Sequence, residues 1–420
     1  MQLRDVTATL QLETHQEVLS REWEVSQRSR PTGDLSFLRR DYLADICQTI
    51  GIPLAALESL ESTAKSVAMN PALSALAWHF CHCLCNSSYP RTSIAEWPSL
   101  EHILPGASSG FYLLTVLAGI DSLRKKYRQR SIGGIEAQET LASVGRVAIA
   151  FHGRNNRWGL SLDNLRWLAI HLRCELFELG RLQFQIGTYR GPARAFRHRH
   201  RGTVIGLSEG GLSYRQDGQR NGAGGVKEGV GVWESVLEFK DEGVFGHPIT
   251  PTGRALADKI LLASTEWEQI LAPGDKVLHL HIPATGKLDF RECAESFRRS
   301  SIFFPRHFPE FDFVAYTCNS WLLDPQLEGL LPPDSNLVRF LSEFYLYPIL
   351  SAGQEGLRRV FGYVPEDPAR APQDTTLQRE MREHLLKGGH WRGAGGFIMR
   401  RDLDWGKRVY RRQDLSWLVK

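Results

Sequence analysis

Long apolar runs are absent. No stretch of about 18 apolar residues occurs in the 420-residue chain, so no transmembrane helix is expected. The first segment, MQLRDVTATLQLETHQE, is polar and has no apolar core of the kind a secretory signal needs. Excess charge is lacking too. The 51 Lys and Arg against 47 Asp and Glu leave +4, too little to argue for a nucleic-acid or membrane partner. Cysteine is sparse. Seven residues, an odd number without framework spacing, exclude a disulfide scaffold and fit a reducing cytoplasm. What is present is an ordinary globular composition, 42% hydrophobic, on a chain long enough for two or three domains of ~150 residues.

Residues 1–40 are polar and read as a lead-in. From 41 to 144 the apolar spacing is helical. Tyr42, Ile46 and Ile50 recur every fourth position before Gly51, a helix stop. Leu54, Leu57, Leu60 and Ala64 form a second face, and Leu73, Leu76, Phe80 and Leu84 a third, opened by Asn70 and Pro71. Residues 110–128 supply a fourth helix. The third contains HFCHCLC, His79 to Cys85, whose thiols and imidazoles are zinc-ligand types. Cys81 and Cys85 lie one turn apart, but Cys83 points away and no C-x-x-C pair exists, so a buried helix is the expected reading and no metal is expected.

From 145 onward the pattern changes, and 145–420 reads as an α/β domain. VGRVAIAF suggests a strand, and 161–172 a helix capped at Ser161 or Asp163. In GRLQFQI, Leu182, Phe184 and Ile186 alternate with Arg181, Gln183 and Gln185, a strand with one apolar face. Residues 190–201 hold five Arg and two His without an acid, and 208–231 are glycine-rich. Together 190–231 read as a flexible insertion, with aromatic residues too few for nucleic-acid stacking. Residues 254–271 read as a helix. KVLHLHIP reads as a strand placing His279 and His281 on one side, followed by a loop and a helix capped by Asp289. Residues 312–318 make another strand, and Asp334 or Ser335 caps the helix carrying Leu337, Phe340, Leu341 and Phe344. Ligands bind at the carboxyl ends of strands in open α/β sheets, which points to the loops after His281 and Cys318.

The run SWLLDP (320–325), then LLPPDSN and Phe340-x-x-x-Phe344, resembles a bacterial acyltransferase-domain family. That family pairs a helical N-acyltransferase N-terminal domain with a GNAT-like C-terminal domain. FELGRLQFQ, GDKVLHLHIPATGKLD, TTLQREMREHLLKGG and GAGGFIM match in the same order, so the resemblance covers 41–399. It implies an α+β fold: an all-helical N-terminal domain followed by a GNAT-like mixed-sheet α/β domain. It also implies transfer of an acyl group from a thioester donor, acyl-CoA or an acyl carrier protein bearing acyl-phosphopantetheine, to an amine on a small-molecule acceptor.

Such a reaction needs a base, a donor to the thioester oxygen and a groove for the carrier. His281 is the candidate base, since neutral imidazole suits it near pH 7. Cys318 and Ser320 are candidate nucleophiles. Arg181, Gln183, Trp321 and Asp324 are candidates for holding the acceptor, the first two on the strength of the resemblance. Thr285, Gly286 and Lys287, in the loop before a helix N-terminus, are candidates for the cofactor's phosphates, and Asn336 for the rest of it. The loop ATGK departs from the usual Q/R-x-x-G-x-G/A signature by having a single glycine. A catalytically silent binding module and a carrier-protein docking factor are the rival readings.

Overall fold

The helical spacing of the amino-terminal half becomes helices wherever an apolar face and a cap coincide. A computed structural model describes residues 1–418 as two compact units, 1–185 with 306–308, and the remainder. The first unit holds α1 (Leu3–Thr9), α2 (Gln16–Ser20), α3 (Trp23–Arg28), α4 (Arg40–Ile50), α5 (Leu57–Met69), α6 (Pro71–Cys85), α7 (Ser108–Gln129), α8 (Gly134–Asn155) and α9 (Leu162–Leu172). Asn70 caps α6 by accepting from the Ala72 and Leu73 amides at 3.0 and 3.2 Å, and Gly51 ends α4 at φ +75°. The hairpin β1 (Leu176–Leu179) and β2 (Leu182–Thr188) follows, and the chain passes into the second unit within β2. Among the described residues no helix is long and apolar enough to cross a membrane.

Two expectations fail here. Residues 1–40 are not a lead-in: Val6, Leu10, Leu19 and Trp23 are buried, and the Ser26 hydroxyl shares a 2.9 Å hydrogen bond with His79 of α6. VGRVAIAF is not a strand but lies inside α8. Gly145 explains why: a Cβ there would stand 1.9 Å from the Ile50 carbonyl oxygen, so this glycine lets α8 cross closely over α4. Tertiary packing overrides the β-branched composition. The helical region therefore runs on to Leu172 rather than ending near 144.

The second unit is built from β3 (Ala193–His198), β4 (Val204–Ser208), β5 (Ser213–Tyr214), β6 (Trp233–Glu234), β7 (Leu237–Lys240), β8 (Gly243–Gly246), β9 (Pro248–Ile249), β10 (Ile260–Ala263), β11 (Trp267–Leu271) and β12 (Lys276–His281). After these come α10 (Phe290–His307), β13 (Ala315–Ser320), α11 (Leu327–Leu330), α12 (Asn336–Leu341), β14 (Tyr345–Pro348), α13 (Gln354–Phe361), α14 (Thr376–Leu386) and β15 (Ala394–Met399). The main sheet orders β12, β13, β15, β14, with 186–188 of β2 beside β12. β12 and β13 are parallel, as expected when α10 connects them, whereas β15 is antiparallel to both its neighbours. One face packs Val277, Ala315, Tyr345, Tyr347 and Phe397 against Ala193, Ala195 and Val204 of β3 and β4. The other meets α10, where Phe297 stands edge-on to Tyr316 at 5.0 Å.

Residues 190–231 are not a loose insertion. They contain β3, β4 and β5, with Phe196, Ile205, Leu207 and Tyr214 buried. The arginines of this run find acids far away in sequence: Arg197 grips Asp402 through two 2.8 Å hydrogen bonds, Arg194 meets Glu209 at 2.8 Å, and Arg199 meets Glu268 at 3.2 Å. The helix expected over 254–271 is instead β10 and β11, because β8 and β3 are there to pair with them.

Two buried histidines make the first unit sensitive to acid. Burial lowers His79 to about 3 and His171, hydrogen-bonded to Ser143, to about 4. The unfolded chain binds these protons near pH 6.5, so stability is full above that pH and is lost as pH falls toward 4 and below. Thermal unfolding followed by circular dichroism from pH 7 to 4 should show a falling midpoint. His171→Gln should flatten that fall, and an unchanged slope would contradict the assignment.

Candidate active site

The parallel ladder between β12 and β13 is short. It pairs Val277 with Ala315, Leu278 with Tyr316 and His279 with Thr317. β12 continues two residues further and β13 three, the latter still paired with β15 through Ser320 and Ala394. The two strands therefore part at their carboxyl ends, opening a crevice in the middle of the sheet. Solvent exposure agrees: Asn319 is exposed although β13 is a central strand, and His279 and His281 are half-buried.

Alternation decides which side chains face the crevice together. His279 and Thr317 share one face, and two residues on so do His281 and Asn319. His279 Nδ1 and Thr317 Oγ1 share a 2.8 Å hydrogen bond. Gly187 leaves room for the imidazole, since a Cβ there would lie 2.6 Å from the ring. Tyr347 donates its hydroxyl to Asn319 Oδ1 at 3.3 Å, and its ring occupies the space a Cβ at Gly395 would need. This line of polar groups was not foreseen around His281. A polar Asn inside a central apolar strand was the available signal.

The structure removes Cys318 from the candidate nucleophiles. It lies on the opposite face of β13 from Asn319, fully within the core, and burial pushes its thiol up to about 12. Ser320 is at the crevice end, but its hydroxyl accepts from the Leu322 amide at 3.1 Å and so caps the turn Trp321–Leu323. Trp321 packs beside Gly356. Asp324 is completely buried. It accepts from the Gln326 amide at 3.0 Å, the Gln326 side chain at 2.8 Å and the Arg392 amide at 3.2 Å, with the Arg392 guanidinium 3.6 Å away. Burial raises its carboxyl while Arg392 opposes the shift. Asp324 thus ties the loop after β13 to Arg392, just before β15. Asn336 opens α12, whose cap is Ser335.

The loop after β12 carries Thr285, Gly286 and Lys287, all exposed, with Gly286 at φ +95°. Asp289 accepts from the Arg291 and Glu292 amides at 2.8 and 3.0 Å, so the N-terminus of α10 already holds a carboxylate. The Arg291 and Glu292 amides at that helix end are thus already engaged. Arg181 and Gln183 belong to the first unit. Gln183 donates to Glu178 at 2.7 Å, and Glu178 also pairs with Arg146, so Gln183 is held within a buried polar cluster.

Residues 176–398 match the GNAT-like C-terminal domain, and 41–174 match the N-acyltransferase N-terminal domain. The chain belongs to this family of GNAT-like N-acyltransferases. Among curated proteins none matches. Two solved structures are similar in fold. One is an acyltransferase in complex with decanoyl-CoA and teicoplanin, with TM-score 0.64, 22% identity and coverage of 95% of this chain and 99% of that one. The other is an acyltransferase mutant in complex with octanoyl-CoA, with TM-score 0.63 at the same identity and coverage. In this GNAT-like domain the crevice falls between the two central parallel strands.

The pinning role of Asp324 has a measurable cost. Asp324→Ala should lower unfolding stability by about 3 kcal/mol, because it takes the acceptor from three donors and the nearest carboxylate from Arg392. Ser320→Ala should cost only about 1 kcal/mol as a lost cap. Denaturant unfolding of both variants checks this, and equal small losses would contradict it.

Proposed function

We propose that this GNAT-like N-acyltransferase moves an acyl group from a coenzyme A thioester to an amine on a small-molecule acceptor, by direct attack. One observation carries the reading: the β12–β13 ladder ends at His279 and Thr317 while both strands run on, with Asn319 exposed and His281 half-buried beyond the last pair. An extended pantetheine arm fits such a gap as a short extra strand, taking backbone hydrogen bonds from both edges. The acyltransferases of similar fold hold decanoyl-CoA and octanoyl-CoA, which favours coenzyme A over a carrier protein as donor. One of them also holds teicoplanin, in keeping with a small-molecule acceptor here.

The roles follow from position. The edge of β13 beyond Thr317 presents backbone N–H groups to the thioester oxygen. The acceptor amine attacks the carbonyl carbon, a C–N bond forms, and the bond to sulfur breaks. His281 takes the proton from nitrogen, directly or through one water, and the departing thiolate receives a proton in return. Asn319, held by Tyr347, faces the same gap and orients the amide being formed. His279, fixed by Thr317 and by the space at Gly187, sets the strand geometry under it. Thr285, Gly286 and Lys287 stand where the phosphates of the donor would emerge, and Trp321 borders the acceptor side. Arg181, Cys318 and Ser320 carry no step.

His281→Ala should lower turnover about 10²–10⁴-fold and leave donor affinity nearly unchanged. Steady-state kinetics with decanoyl-CoA and an amine acceptor, beside calorimetry of donor binding, reads both quantities. Full activity of the variant would remove His281 as base.

A further inference from the structure

The helical unit contains a second feature that the reaction above does not use. A cavity of about 400 Å³ opens between α4, α6, α7 and the segment before α4. Its volume lies within the range of small-molecule sites, roughly 300–1,000 Å³. Phe37, Tyr42, Trp78 and Ala118 give it apolar walls, and Cys81 and Cys85 of α6 look into it. Of the seven cysteines, Cys85 alone is not fully buried. Lys126 donates to the Cys85 carbonyl at 3.0 Å, which brings its ammonium to the end of α6. A hydrogen bond from Cys81, helped by Lys126 and Ser122, lowers the Cys85 thiol below its ordinary value, whereas the same bond and burial raise Cys81. The two thiols do not form a disulfide within an intact helix. Positions i and i+4 set their Cβ atoms about 5–6 Å apart, whereas a disulfide needs about 3.5–4.5 Å.

A polarised thiol in the wall of a largely apolar cavity, its sulfur 4.0 Å from the Gly119 carbonyl oxygen, suits one chemistry that needs no oxidant. We propose that Cys85 is an S-acylation site, taking an acyl group from a thioester and laying the alkyl chain between Phe37, Tyr42, Trp78 and Ala118. The Cys85 sulfur attacks the thioester carbonyl carbon. Cys85 first gives its proton to water; a new C–S bond then forms, the donor's C–S bond breaks, and the donor leaves as a thiolate that takes a proton back from water. Cys81 keeps its proton throughout and steadies the attacking sulfur. Exchange between two thioesters is nearly balanced, so burial of the chain drives it, and longer chains are favoured over acetyl. The natural donor, an acyl-coenzyme A, rests on the function proposed above; the thiol and the cavity do not.

The test uses the full chain and a donor without a nucleotide. Decanoyl N-acetylcysteamine is incubated with the protein near neutral pH, followed by peptide mass spectrometry with and without hydroxylamine. One hydroxylamine-labile decanoyl group on the peptide bearing Cys85 is expected, formed at least ~10-fold faster than the acetyl group from the acetyl analogue. Cys85→Ser should abolish it, and Cys81→Ser should slow it. Ala118→Trp, which fills the cavity, should remove the preference for decanoyl. Absence of the adduct, equal rates for both chains, or labelling that survives Cys85→Ser would overturn the inference. A parallel titration with decanoyl-CoA separates the two readings. Binding without a Cys85 adduct contradicts this inference alone, whereas a Cys85 adduct without decanoyl-CoA binding supports it and contradicts the donor proposed above.

Discussion

Three residue pairs of parallel β-ladder hold the account together. Parallel strands joined by a helix would ordinarily pair along their length, each bond offsetting the desolvation of a buried amide and carbonyl. Here pairing stops at His279 and Thr317, and β15 keeps β13 in place on its far side. The antiparallel pair β14–β15 therefore supports this end of the sheet: β15 pairs with β13 out to Ser320, past the point where β12 lets go. Asp324 completes the support by tying the loop after β13 to Arg392 at the entry to β15. Tyr347, fully buried on β14, reaches across Gly395 to Asn319 at the rim. The crevice is a consequence of how its neighbours are anchored.

Much of this frame was legible in the residues. The alternation of KVLHLHIP placed both histidines on one face, Asp289 marked the start of α10, and Ser335 capped α12 where the Pro332–Pro333 pair ended the preceding loop. The helices between Arg40 and Gln129 followed from spacing and from Asn70 and Gly51. Failures came where partners lie far away in sequence. The arginines of 190–201 look like an unpaired basic run until Asp402, Glu209 and Glu268 arrive to meet them. The stretch 254–271 has helical composition and becomes β10 and β11 because β8 and β3 offer edges. VGRVAIAF becomes helix because Gly145 must pass Ile50.

The site was half visible. His281 and the loop after it could be picked out by position, and Cys318 could not be rejected until its burial was known. The partners of the crevice, Thr317 for His279 and Tyr347 for Asn319, depend on register between strands about 38 and 28 residues apart, which periodicity alone does not encode. The helical unit shows the same limit: HFCHCLC reads as a buried helix, and it is one, but the cavity against Cys85 comes from the packing of α4 and α7 around it.

The central claim is that a coenzyme A thioester lies between the diverging ends of β12 and β13. Hydrogen–deuterium exchange with and without decanoyl-CoA tests it most directly. The account predicts that protection rises in 280–289 and 317–322, beyond the last β12–β13 pair, and little in the interior pairs 277–279. Protection confined to other segments, or no change at saturating decanoyl-CoA, would contradict it.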